Sequence, residues 1–74
     1  MNIQKLKEVL EKKNIPSHYY SLDGGLPNDA WCLRKSAVRW EVYYSERGKK
    51  YSVKEFTSEE EACNYLYNKL SNFD

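Results

Sequence analysis

The strongest constraint on the fold is a stretch of alternating residues in the middle of the chain. Val38, Trp40, Val42 and Tyr44 alternate with Ala37, Arg39, Glu41 and Tyr43, the period of two expected of a strand with one buried face. Such a strand needs partners. Ser45, Glu46, Arg47 and Gly48 read as a hairpin connection in which Gly48 is free to take a positive φ, and residues 49–56 return as a further strand. Tyr51 and Val53 share its inward face, whereas Phe56 falls out of register with them, so a bulge or the strand end is expected between them.

Two more strands and two helices complete the reading. His18, Tyr19, Tyr20, Ser21 and Leu22 form an aromatic, strand-like run, closed by the turn-forming residues 23–29. Ala30, Trp31, Cys32, Leu33 and Arg34 read as a second strand, with Lys35 and Ser36 turning into the third. Upstream, Ile3, Leu6, Val9 and Leu10 recur at helical spacing. A helix is expected over residues 2–13, capped by Asn2 and stopped at Ile15 by Pro16. Downstream, Ser58 with Glu61, or Thr57 with Glu60, offers a capping box. Ala62, Tyr65, Leu66, Leu70 and Phe73 then give the buried stripe of a helix over residues 58–72. The expected architecture is a single α+β domain over residues 1–74: helix, four-stranded antiparallel meander, helix, with both helices on one sheet face.

Size and charge narrow the function. A chain of 74 residues is too short for two domains, and at this size one core supplies only about 3–5 kcal/mol. Eleven aromatic residues, seven of them tyrosine, are the expected reinforcement. Twelve Lys plus Arg against eleven Asp plus Glu leave a formal net charge of +1, a poor match for a phosphate backbone. No apolar run approaches the length of a membrane span and no secretory signal opens the chain, so a cytoplasmic location is expected. Cys32 and Cys63 read as buried thiols, one in a strand and one in a helix.

Candidates for chemistry are few. His18 is the single histidine and sits at a strand start; no CxxC or HxxxH spacing suggests a metal. Gly24 and Gly25 lack the context of a phosphate loop and read as a turn. Glu59, Glu60 and Glu61 are accounted for by helix capping. The expectation is a non-catalytic chain without cofactor or metal.

Two resemblances bear on partners. Trp40 to Tyr44, then Gly48, Lys49 and Lys50, then Phe56 to Ala62, with Arg34, Lys35, Arg39 and Arg47 nearby, resemble the small DNA-binding sheets of plant Apetala-type and phage-integrase arm domains. That resemblance implies nucleic-acid binding by strand residues in the major groove; Glu41, Glu46 and Glu55 in the same strands weigh against it. A likeness covering more of the chain runs through Leu22, Asp23, Gly24 and Gly25, then Trp31, Cys32 and Leu33, then Trp40 to Gly48, then Phe56 and Ser58 to Cys63. These residues resemble the small immunity proteins of bacterial polymorphic toxin systems. The resemblance implies a cytoplasmic inhibitor that binds a cognate toxin domain without catalysis. On this reading the partner-binding face is the sheet face opposite the helices, with Arg39, Glu41 and Tyr43 pointing outward, Glu46 and Arg47 on the adjoining turn, and Tyr19 or Tyr20 and Asp23 extending it. Its acids, Asp23, Glu41 and Glu46, would suit a basic nuclease toxin.

Overall fold

The computed structural model describes residues 1–71; Asn72 and Phe73, expected at the end of the second helix, lie outside them. Helix α1 spans Ile3–Lys12 and begins where Asn2 was expected to cap it, the Asn2 side chain accepting the Lys5 backbone N–H at 2.8 Å. It ends in a paired turn. The Ile15 N–H reaches the Leu10 carbonyl and the Asn14 N–H the Glu11 carbonyl, while Asn14 takes φ 59°, so the last carbonyls are satisfied by a left-handed cap. Helix α2, Glu59–Ser71, starts on the expected pair: the Glu61 N–H donates to Ser58 Oγ at 3.1 Å, and that hydroxyl donates to the Glu61 carboxylate at 3.2 Å.

Between the helices lie strands β1 (Tyr20–Ser21), β2 (Ala30–Lys35), β3 (Trp40–Glu46) and β4 (Lys49–Phe56), adjacent in that order. Three of the four match the reading from sequence, and β2–β3–β4 is an antiparallel meander. β1 departs from it. It has two residues and runs parallel to β2, Tyr20 opposite Trp31 and Ser21 opposite Cys32, so the sheet is mixed rather than wholly antiparallel. The cause lies on both sides of it: residues Ser17–Tyr19 form a turn of 3-10 helix, and the eight-residue connection to β2 carries the chain back to start in the same direction instead of closing a hairpin.

β3 begins at Trp40, later than its alternation suggested. Ser36 donates both its backbone N–H and its hydroxyl to the Arg39 carbonyl, at 2.8 and 3.0 Å, which closes a turn before the strand. Val38, expected to face the helices, is therefore 81% exposed in that turn. At the other end Arg47 and Gly48 both take positive φ, 53° and 77°, as a two-residue primed hairpin turn requires. β4 holds a bulge, but at Ser52, before Val53 rather than after it: Val42 pairs with Lys54 but Tyr44 with Tyr51, and Ser52 takes φ 54°. Tyr51 therefore faces the helices while Val53 turns to the outer face, and the two do not share the inward face expected of them. The extra residue restores Phe56 to the face of Trp40.

Register divides the sheet. Leu33 and Val42 join Leu6, Leu10, Ala62, Cys63, Leu66 and Leu70 in one core, so both helices cover the same face, α2 lying across β2, β3 and β4 and α1 packing on α2. Each fully buried leucine there contributes roughly 1.5–3 kcal/mol. No helix among the described residues is long and apolar enough to cross a membrane.

Candidate functional site

The sheet face opposite the helices carries Ala30, Cys32 and Arg34 of β2, Glu41, Tyr43 and Ser45 of β3, and Lys50 and Glu55 of β4, brought side by side by the register. Only part of it is open. The loop of residues 22–29 folds over the β2–β3 half: Tyr43 Oη donates to the Gly25 carbonyl at 2.6 Å, Ser21 Oγ donates to the Gly24 carbonyl at 2.7 Å, and Gly24 lies close against the Arg34 side chain. Beneath it Cys32, Tyr43 and Ser45 are each 0% exposed. Tyr43 thus faces as expected but is covered, because seven residues of turn-forming sequence have to go somewhere and the sheet offers a flat support.

Glu41 is at the centre of what remains. Its carboxylate meets Arg34 Nη1 at 3.4 Å and Lys50 Nζ at 3.2 Å, and that Lys50 nitrogen also sits 4.6 Å from the Tyr43 ring centroid. Two cations from the neighbouring strands therefore neutralise the one acid, and Glu41 is not free to steer a basic partner. Asp23 is exposed on the rim of a shallow cleft formed with Ile3, Leu22, Arg34 and Trp40. The other expected residues are dispersed. Tyr19 and Tyr20 pack against the helix-side core, since Tyr19 belongs to the 3-10 turn and Tyr20 pairs with Trp31 on the helix side; neither extends the outer face. Arg39 lies in the turn before β3 and Arg47 in the turn after it, separated by the strand's full length, about 25 Å.

A second arrangement escaped the sequence reading. Tyr20, Trp31, Tyr44 and Tyr51 are successive register partners, so each of the four strands contributes one aromatic ring to a single row on the helix side. The row passes from cover to solvent. Tyr20 and Trp31 pack against the core, Trp31 meets Tyr44 edge to face at 5.4 Å, and Tyr51 at the sheet edge is 45% exposed. Lys69 of α2 caps the inner part, its Nζ 5.8 Å from the Trp31 centroid and 5.2 Å from that of Tyr65. Charged groups gather at the outer part: burial first, then the carboxylates of Asp29 and Glu46, raise the Tyr44 phenol above its ordinary value, and Arg47 and Lys49 follow directly in the turn and in β4. The signal was in the sequence as four aromatic residues, but their alignment depends on a parallel pairing that the sequence did not suggest.

The two thiols are free and buried, Cys32 under the loop and Cys63 in the main core. Burial pushes both up, Cys63 to about 11 with help from Glu59, so neither is a nucleophile at neutral pH. Among the described residues no group of three or more His, Cys, Asp or Glu side chains is placed to hold a metal ion. Comparison with family models, curated proteins and solved structures gives no match.

Proposed function

We propose that this chain is a non-catalytic protein-binding module, an immunity protein that acts in the cytoplasm by binding and neutralising a cognate toxin domain. The observation that supports the reading best is the aromatic row, which passes through a partly buried Tyr44 and ends at Tyr51, 45% exposed, beside charges of both signs from Asp29, Glu46, Arg47 and Lys49. Binding hot spots are rich in Tyr, Trp and Arg because large rigid side chains bury area at little entropic cost. The edge-to-face contact with Trp31 holds Tyr44 in place, and strand pairing fixes the backbone of Tyr51 beside it, before any partner arrives. Of the residues expected from sequence, Glu46 and Arg47 belong to this surface, and Asp23 and Glu41 lie apart from it.

The nucleic-acid alternative has less behind it. It would use the outer sheet face, where the loop covers the β2–β3 half and Glu41 occupies Arg34 and Lys50, leaving few cations for phosphates. The test is co-expression with the product of the gene next to its own. An adjacent toxin domain that copurifies with this chain and loses its activity supports the reading; salt-sensitive binding of mixed DNA with no protein complex would replace it.

A further inference from the structure

The edges of the sheet differ sharply. β1 offers two residues, whereas β4 is the longest strand, eight residues at the opposite edge, exposed from Lys49 to Glu55. An edge strand presents unpaired backbone N–H and C=O groups, and proteins guard such edges with lysines and bulges. β4 has both: Lys49, Lys50 and Lys54 against Glu55, a net +2, and the bulge at Ser52. It also carries Tyr51 and Val53, 45% and 44% exposed, two of the four large exposed apolar side chains among the described residues. Such an edge is half guarded and half adhesive.

Charge decides the occupant. Two copies paired through β4 would bring +2 against +2, and Lys49 and Lys54 have no ion-pair partner among the described residues. We infer that β4 is the docking edge for an extended acidic segment of the partner protein, which adds a strand to the sheet and sets carboxylates against Lys49 and Lys54 on the helix side and an apolar side chain on Val53 on the outer face. The lysines then serve two ends, repelling a second copy and attracting the acidic strand. The bulge divides the edge, so a short segment paired with residues 53–56 or 49–51 suffices. This inference rests on the protein-binding reading and supplies the chemistry of the partner.

The probes are two synthetic peptides, one alternating valine and glutamate, the other valine and lysine, added to the full chain while amide hydrogen exchange is followed by NMR. The glutamate peptide is expected to slow exchange of β4 amides about tenfold and to lose that effect at high salt, and the lysine peptide to do nothing. In a variant with Lys49→Glu and Lys54→Glu, both exposed positions, the preference reverses. Absence of β4 protection by the glutamate peptide, equal protection by both peptides, or a dimer formed through β4 would overturn the inference. A toxin domain that is neutralised while its complex leaves β4 exchanging freely would also defeat it and leave the function standing; β4 protection by the peptide with no toxin bound would do the opposite.

Discussion

Tyr43 and Gly25 are joined by a hydrogen bond of 2.6 Å across 18 residues of chain, phenol to backbone carbonyl, and this bond fastens the long loop to the back of the sheet. Tyr43→Phe removes the donor and leaves the carbonyl without it, at a cost of about 1–2 kcal/mol. The expected result is a lower urea midpoint together with faster proteolysis within residues 22–29; a variant with unchanged loop cleavage would show that packing alone holds the loop.

Glycine substitutions probe the same loop from its other side. Gly24 and Gly48 have nearly equal positive φ, 78° and 77°, but a Cβ at Gly24 would come within 3.2 Å of the Arg34 side chain, while at Gly48 it meets nothing. Both Ala variants incur the left-handed backbone cost of about 1–2 kcal/mol. Gly24→Ala is expected to be the more destabilising in thermal or urea unfolding, and equal losses would mean that Arg34 yields freely.

Glu55 stands directly opposite Glu41, which already has Arg34 and Lys50. Like charges facing each other across strands destabilise by roughly 0.2–1 kcal/mol. Glu55→Gln is therefore expected to raise stability by a fraction of that range, whereas Glu41→Gln leaves two cations facing each other and lowers it. Urea titration of the two variants at low salt checks the opposite signs, and the contrast shrinks as salt is added.

Alkaline pH acts through the buried thiols and phenols. The Cys63 thiol titrates near 11 in the folded chain against an ordinary value of 9.0, and Cys32, Tyr20, Tyr43 and Tyr44 are also raised, burial being the first cause in each. The folded state thus holds protons that the unfolded state releases. Stability from Cys63 is fully present below pH 9 and is lost as pH rises through about 11. Urea midpoints measured across that window are expected to fall, less steeply in Cys63→Ala, and a midpoint independent of pH there would contradict the assignment.

Local chemistry carried most of the fold. The Asn2 and Ser58 caps and the Arg47–Gly48 turn each depend on a few adjacent residues and are legible as sequence; the place of the β4 bulge, at Ser52 between Tyr51 and Val53, was not, because the pairing with β3 sets it. The direction of β1 was not, because a two-residue strand has no alternation to read and its pairing is set by the loop's path. The candidate surface suffered from the same cause. Alternation correctly placed Glu41 and Tyr43 away from the helices, but it cannot show that residues 22–29 fold back over Tyr43, nor that Arg34 and Lys50 converge on Glu41. Tyr44 was read as facing the helices, and its place in an aromatic row that opens to solvent at Tyr51 follows only from the register of three other strands.

The most direct measurement is a calorimetric titration of this chain into the proposed toxin partner, taken as the product of the neighbouring gene, with toxin activity followed in the same mixtures. The expected result is a one-to-one complex, activity lost in proportion to complex formed, and affinity reduced at least about tenfold by Tyr51→Ala, a truncation at the exposed end of the row. Heat-silent mixing with toxin activity intact, or full affinity retained in Tyr51→Ala, would contradict a protein-binding role built on the Tyr44 and Tyr51 surface.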